Sequence, residues 1–209
     1  MLLHLRRQFL VFSALVVVLT GCLTGERPTF EPGSSIGDAA AEAVLGRLGG
    51  AESLNFFATY RIVPSSTGIA TQATVAQLGS RLRITIGDVE YSSDGDRSRT
   101  CQDDSCVDFL DDARISNLNI THGFWGSAFR SRLELDASRR IGPSAGSSTT
   151  IAGQSAACVD VIVPSVATAT GTVVYCALDV GALARYFGAD VSIELTSFSF
   201  EVSSSDVAE

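Results

Sequence analysis

The chain has 209 residues, a formal charge of −8 at pH 7 and 45% hydrophobic residues. This length fits one domain of ordinary size, which buries roughly 70% of the surface of its unfolded chain. The acidic balance argues against nucleic acid or an anionic bilayer surface as the partner, because both require a positively charged protein surface. Gly, Ser, Thr and Val are plentiful, which favours a fold rich in β-sheet.

The N-terminal residues have the pattern of an exported protein. Arg6 and Arg7 precede a mostly apolar run over residues 9–19, which is shorter than the roughly 20 residues that cross a bilayer as a helix. Small residues follow, as at a signal-peptidase site. Leu19-Thr20-Gly21-Cys22 resembles the bacterial lipobox, whose cysteine is acylated before cleavage. We therefore expect a lipoprotein signal peptide over residues 1–21.

Acylation of Cys22 would anchor the protein in the cell membrane, facing the extracytoplasmic side. A retained transmembrane anchor is the less favoured alternative because the apolar run is short. An ordinary signal peptide followed by an incidental cysteine is a second alternative, because the lipobox motif has only four positions and is therefore short. Removing residues 1–21 takes away two arginines and no carboxylate. The net charge of the mature chain is therefore more negative than that of the full chain. The lipid on Cys22 would make the membrane a partner of the protein.

Lipid on Cys22 leaves four cysteines, an even number that suits two disulfides outside the cytosol. Cys101 and Cys106 are separated by four residues, unlike a two-residue redox motif, and paired zinc ligands are absent from the sequence nearby. A local disulfide is the better interpretation. Cys158 and Cys176 are equidistant from the centre of a predicted hairpin, which would make them cross-strand neighbours. We predict the bridges Cys101–Cys106 and Cys158–Cys176.

The first half of the chain after Cys22 predicts a tether, one helix and a strand meander. Prolines and glycines indicate a flexible tether over residues 22–35, and we expect one folded domain over 36–209. Apolar residues at helical spacing predict a helix over 36–48, begun by a capping box at Ser35–Asp38. Alternating apolar residues and turn signals then predict antiparallel strands over 54–63, 69–78, 81–86 and from 89 to the turn at 94–95.

The second half mixes a helical segment with longer strands. The spacing of Phe124, Trp125, Phe129 and Leu133 on one helical face favours a helical structure over residues 107–138. Further along we predict a loop over 138–149, strands over 150–163 and 172–178, a helical turn over 181–187 and a last strand over 191–202. The apolar phase slips between residues 195 and 198, which indicates a β-bulge, with the phenylalanines at 198 and 200 turned inward.

This order of elements resembles the bacterial periplasmic lipoprotein carriers of the LolA/LppX/LprG type, particularly their actinobacterial relatives. The local likenesses lie in Phe57–Arg61, Ala73–Gln77 with Gly79, Arg81–Ile84, Ile151–Gln154 and Gly171–Cys176. The likeness covers most of residues 36–202. It implies an α+β fold, in which a curved antiparallel β-sheet forms an unclosed half-barrel with helices packed on its concave face.

In that family an acyl chain or lipid occupies the apolar space between sheet and helices. The resemblance implies candidate lining residues for a hydrophobic ligand, which are Phe56, Tyr60, Ile84, Ile86, Phe124, Trp125 and Phe129. The short chain and its many small or polar strand residues depart from a generous carrier, and whether the cavity is open, reduced or filled by side chains stays open. Two hypotheses follow: a lipid-anchored protein that binds or transfers a hydrophobic ligand, or an anchored interaction or structural module of the same fold without a lipid.

An enzyme is the third class, and the sequence argues against it. His122 is the only histidine after the signal peptide, and a lone histidine beside aromatic residues is more often structural than catalytic. The sequence contains none of the nucleophile-elbow, zinc-protease or phosphate-loop motifs. The aspartates from Asp103 to Asp112 lack the ligand spacing of an EF-hand. We therefore expect no catalytic residues, no metal and no cofactor, and the identity of any protein partner stays open.

Overall fold

The computed structural model describes residues 37–165 and 169–207. The predicted signal peptide, Cys22 and tether therefore lie outside the described residues. The described part contains eleven β-strands, two α-helices and two 3-10 helices. None of its helices is long and apolar enough to span a membrane.

The helices are α1 (Ala39–Leu45) and α2 (Ser127–Ser138), and the 3-10 helices are Gly50–Ser53 and Asp112–Leu118. The strands are β1 (Phe56–Pro64), β2 (Thr71–Leu78), β3 (Arg81–Ile86), β4 (Val89–Asp94), β5 (Arg97–Gln102), β6 (Ser105–Val107), β7 (Ala145–Ile151), β8 (Gln154–Ser165), β9 (Ala169–Leu178), β10 (Leu183–Phe187) and β11 (Val191–Ser199).

All eleven strands belong to one antiparallel sheet in the order β6-β5-β4-β3-β2-β1-β11-β10-β9-β8-β7. The first and last strands pair with each other at its centre, while β6 and β7 form its two edges and do not meet. Two meanders therefore join through β1 and β11 into an open half-barrel. The predicted α+β fold with an unclosed, curved antiparallel sheet is confirmed.

One face of the sheet is apolar because its strands alternate. In β1 the even-numbered residues Phe56, Ala58, Tyr60 and Ile62 are fully buried, whereas Arg61 is exposed. A period of two places alternate side chains on opposite faces of a strand. The two α-helices and the segment before α2 cover this apolar face, and one continuous core lies between the layers.

Helix α1 is shorter than the predicted helix over 36–48. Asp38 is itself the N-cap, since its side chain accepts a hydrogen bond from the Ala41 amide at 3.1 Å. The capping box predicted from Ser35 therefore does not mark the start of the helix. The helix ends at Leu45 because Gly46 follows as C-cap and Gly49 adopts a positive φ of 93°. Leu48 is nevertheless buried, so the apolar spacing continues past the helix end.

Three predictions in the second half were wrong. Phe124 and Trp125 lie in turns before α2 and not on its face, and only parts of residues 107–138 are helical. The predicted loop over 138–149 contains most of strand β7. Six of the seven residues of β7 are exposed, so its sequence lacks the apolar alternation that would have predicted a strand. The predicted helical turn over 181–187 is instead strand β10, which begins after Gly181 and pairs with β9 and β11.

Other details of the strands were predicted correctly. In the β8–β9 hairpin Cys158 lies opposite Cys176, and in the β5–β6 hairpin Cys101 lies opposite Cys106. Both pairs form disulfides. The bulge is also present, because Thr59 pairs with residue 197 and Tyr60 with residue 195, which skips one residue of β11. Phe198 is half-buried against Phe56, but Phe200 is exposed, so its predicted inward orientation was wrong.

The two disulfides should differ in their contribution to stability. Replacing both Cys158 and Cys176 by serine opens the longer loop and should lower the free energy of unfolding by about 3 kcal/mol, against about 2 kcal/mol for the Cys101 and Cys106 pair. Urea unfolding followed by circular dichroism measures both values. Equal losses, or a larger loss for the shorter loop, would contradict the loop-entropy explanation.

Candidate functional site

The concave face of the sheet is covered by a layer of aromatic side chains, which we call the aromatic layer. It consists of Phe56, Tyr60, Phe124, Trp125, Phe129, Tyr175 and Tyr186, all of them buried. Its rings contact one another at centroid distances of 5.4 Å for Phe56–Trp125, 5.0 Å for Tyr60–Phe124, 4.8 Å for Phe129–Tyr186 and 4.9 Å for Tyr175–Tyr186. Tilted and edge-to-face pairs at these distances are favourable ring geometries.

All seven residues predicted to line a ligand cavity face this core, and none is more than 4% exposed. Phe56, Tyr60, Phe124 and Trp125 lie together, whereas Phe129 packs further along the sheet against Tyr186. Ile84 and Ile86 project from β3 into the same core. The structure thus places the seven residues in one packed layer, and their role as a ligand lining stays a prediction.

The space between sheet and helices is occupied by these side chains. Four clefts lined by described residues have volumes of about 330 to 760 Å³. Of the seven predicted residues, only Trp125 and Tyr60 line any of these clefts, and each lines a different one. These four clefts therefore lie beside the aromatic layer.

A buried carboxylate fixes helix α2 to the sheet. The Tyr175 hydroxyl, on β9, donates a hydrogen bond to Asp136 Oδ2 at 2.5 Å, and Arg139 donates to Oδ1 of the same carboxylate at 2.6 Å. Burial and the neighbouring Asp136 together raise the pKa of Tyr175, so its hydroxyl remains a proton donor. The contact was not predicted, although Asp136 stands in helical phase with the apolar residues Phe129 and Leu133, which is the signal for a buried acid.

Two arginines of α2 make further contacts. Arg132 donates to both carboxylate oxygens of Asp190 at 2.6 and 2.7 Å, and its guanidinium lies 4.6 Å from the centroid of the Tyr186 ring. Burial alone would lower the pKa of Arg132, but the hydrogen bonds to Asp190 raise it. Arg130 donates to the Leu45 carbonyl at 2.9 Å. Together these contacts fix α2 to the β10–β11 turn and to the end of α1.

Two donors within the aromatic layer lack a hydrogen-bond partner among the described residues. They are the Tyr60 hydroxyl and Trp125 Nε1–H. Burial raises the pKa of Tyr60, which keeps the hydroxyl neutral. A buried polar group without a partner is costly and unusual in a native protein. Both donors are therefore positions where an acceptor from outside the layer would be stabilised.

His122 lies in a polar cleft beside the layer. Its Nδ1 is 3.0 Å from both carboxylate oxygens of Asp112, and its ring centroid is 5.7 Å from that of Tyr91. The cleft has a volume of about 330 Å³ and is also lined by Gln77 and Trp125. The described residues include no group of three or more His, Cys, Asp or Glu side chains placed to hold a metal ion.

Comparisons with known proteins identify the fold. No protein-family model and no curated protein matches the chain in sequence. Among solved structures, MucB matches with a TM-score of 0.52 and 18% identity over 83% of this chain. The MucA/MucB complex of Pseudomonas aeruginosa matches with 0.51 and 17% over 82%. LprF from Mycobacterium bovis matches with 0.41 and 13% identity over 81% of this chain and 96% of LprF.

This chain has the half-barrel fold. The match to MucB establishes the likeness at the level of fold. The chain spans 64% of the MucB chain and 61% of the chain matched in the complex. The comparison therefore concerns the fold alone.

The two buried tyrosines Tyr175 and Tyr60 should respond differently to loss of the hydroxyl. Tyr175→Phe leaves the Asp136 carboxylate buried with one donor fewer and should lower the free energy of unfolding by about 1–3 kcal/mol. Tyr60→Phe, the matched control, removes a hydroxyl without a partner and should leave stability unchanged or raise it. Urea unfolding of both variants at pH 7 measures the difference. A loss for Tyr60→Phe as large as that for Tyr175→Phe would contradict this account.

Proposed function

We propose that this chain is a non-enzymatic, lipid-anchored interaction protein of the cell envelope, whose filled half-barrel is a rigid module that binds a protein partner. The observation that carries the proposal is the aromatic layer. Its rings pack against each other where a carrier would need space for an acyl chain, and Tyr175, Arg132 and Arg130 hold the covering helix in place.

The fold comparison supports a role in protein binding. MucB, which shares the half-barrel fold, is found in a complex with MucA. Because identity is below 20%, this likeness concerns the fold, and a fold can carry different functions. It supports the proposal by showing that a protein with this fold can assemble with another protein.

The proposal assigns no catalytic role to His122. Its Nδ1 and its backbone amide both contact Asp112, which caps and orients the residue. The ring also packs against Tyr91. These are the contacts of a histidine that connects the 3-10 helix at Asp112–Leu118 to the sheet.

A second candidate is binding of a hydrophobic ligand within the aromatic layer. The unpartnered Tyr60 hydroxyl and Trp125 Nε1–H favour it, because an amphipathic ligand could supply an acceptor to each. An acyl chain gains roughly 0.8 kcal/mol for each CH₂ group that it buries. Such a ligand must displace rings that now contact each other, and must therefore move α2 or the turn before it.

Ligand uptake separates the two candidates. The soluble chain over 23–209, which lacks the signal peptide and Cys22, is purified from a lipid-containing host and should show a single unliganded mass in native mass spectrometry. Palmitic acid and dipalmitoylphosphatidylglycerol vesicles should leave the fluorescence of Trp125, the only tryptophan, unshifted, because its ring is already buried. One bound lipid per chain, with a shift of that emission, would refute the interaction module and support the hydrophobic-ligand carrier.

The anchor is tested by replacing the cysteine of the lipobox-like motif. Cys22→Ser removes the thiol that would be acylated and should move nearly all of the protein from the membrane to the soluble extracytoplasmic fraction. Thr24→Ser is the matched control and should stay with the membrane. Fractionation and labelling with a palmitate analogue measure the outcome. Membrane retention of the Cys22→Ser variant would show that lipid on this residue is not the anchor.

A further inference from the structure

The two edges of the sheet differ in how they are protected. Strand β6 has only three residues, is joined to β5 by the Cys101–Cys106 disulfide and follows Asp103 and Asp104. Short length and nearby charges are the devices by which proteins prevent other chains from pairing with an edge strand. The β6 edge is therefore poorly suited to accept another strand.

The opposite edge, β7, lacks these devices. All seven of its residues pair with β8 without a bulge, from Ala145 opposite Asp160 to Ile151 opposite Gln154. Its sequence, AGSSTTI, has neither proline nor charge, and residues 145–150 are exposed. Apart from the ladder with β8, no hydrogen bond joins β7 to the rest of the described chain. Its outer backbone groups can thus form a second ladder.

We propose that β7 is a docking edge, along which an extended segment of a protein partner adds as a twelfth, antiparallel strand. The proposal rests on the function proposed above and names the surface that performs it. Strand addition supplies affinity through main-chain hydrogen bonds and specificity through pockets for side chains. The antiparallel direction follows from the rest of the sheet, in which every pair is antiparallel.

A cleft extends this edge and can provide a side-chain pocket. It has a volume of about 500 Å³ and lies between the start of α1 and the segment that leads into β7. Its walls are fixed by Asp38, which accepts from the Ser144 amide at 2.9 Å and pairs with Arg140 at 3.0 Å. An antiparallel partner ends its pairing at Ala145, so the residues that follow its strand would enter this cleft.

Charge and side chains indicate the chemistry of the partner segment. The chain carries a formal charge of −8, and Asp160 is exposed beside Ala145 without an ion pair among the described residues. It lies two strands from the docked segment, about 10 Å away, which a long basic side chain can reach. Ser and Thr on β7 pair well with Thr and Val across a ladder. The partner segment is therefore basic and rich in β-branched residues.

Two other occupants fit less well. A second copy of this chain would bring two acidic molecules together, with their Asp160 side chains near the interface. The chain's own segment over 23–36 carries Pro28 and Pro32, which lack the amide hydrogen that a ladder requires. Both occupants are outcomes of the experiment below.

Hydrogen exchange on the mature chain tests the proposal. The probe is the capped peptide Arg-Thr-Val-Thr-Val-Thr-Val-Arg, and it should slow amide exchange within residues 145–151 by about tenfold at saturation. Residues 105–107, on the other edge, should not change. The same peptide with N-methylated valines, which cannot form the ladder, should have no effect. Asp160→Asn should weaken binding about threefold for this peptide but not for one ending in serines, as expected for a single exposed charge contact.

Several results would overturn the docking edge. The first is absence of protection in 145–151, and the second is equal protection by the N-methylated peptide. The third is protection that rises with protein concentration alone. The fourth is protection that disappears when residues 23–36 are removed. The third result identifies a second copy, and the fourth identifies the chain's own segment. Each leaves the interaction module itself standing, because that proposal fails only if one lipid binds per chain in native mass spectrometry.

Discussion

The buried carboxylate of Asp136 connects α2, one of the two helices that cover the sheet, to strand β9. A carboxylate inside a protein is costly unless its oxygens accept hydrogen bonds. Asp136 meets this condition only where Tyr175 can reach Oδ2 and Arg139 can reach Oδ1. The hydrogen bond from Tyr175 therefore ties the end of α2 to β9, beside the buried Phe129 and Leu133 of the same helix.

The position of α2 decides what occupies the concave face. With the helix held at Asp136 and Arg132, Phe129 is directed against Tyr186, and the turns before the helix bring Phe124 onto Tyr60. The rings then fill the volume that an unclosed sheet would otherwise leave open. The aromatic layer and the polar contacts of α2 therefore lie on the same side of the sheet and hold the helix against it.

The sequence predicted the features that depend on local periodicity. The strands β1 to β4, the bulge in β11 and the Cys158–Cys176 register all follow from alternation or from distances along the chain. It failed where tertiary contacts decide the structure. Strand β7 has no apolar alternation because it lies at an edge where six of its seven residues are exposed, and β10 is a strand because β9 and β11 pair with it on both sides.

The candidate site was also predicted only in part, because strand periodicity can be read from the sequence and tertiary contacts cannot. The seven apolar residues proposed as a lining do share one core, since strand alternation directs Phe56, Tyr60 and Ile84 to one face. The contact between Asp136 and Tyr175, which joins α2 to that core, was not predicted. These residues are 39 positions apart, and no spacing rule relates them.

Asp38 connects the start of helix α1 to the segment that leads into the β7 edge. Burial alone would raise the pKa of Asp38, but hydrogen bonds from the Ser144 and Ala41 amides, with Arg140 nearby, lower it from 3.8. A lowered pKa in the folded state means that the ionised carboxylate stabilises the fold above the unfolded pKa and that this stabilisation is lost as the pH falls through the folded pKa. The same carboxylate caps α1 and fixes Ser144, immediately before β7. At neutral pH the ionised Asp38 carboxylate therefore holds both the N-terminus of α1 and the residue before β7, which fixes the start of the docking edge.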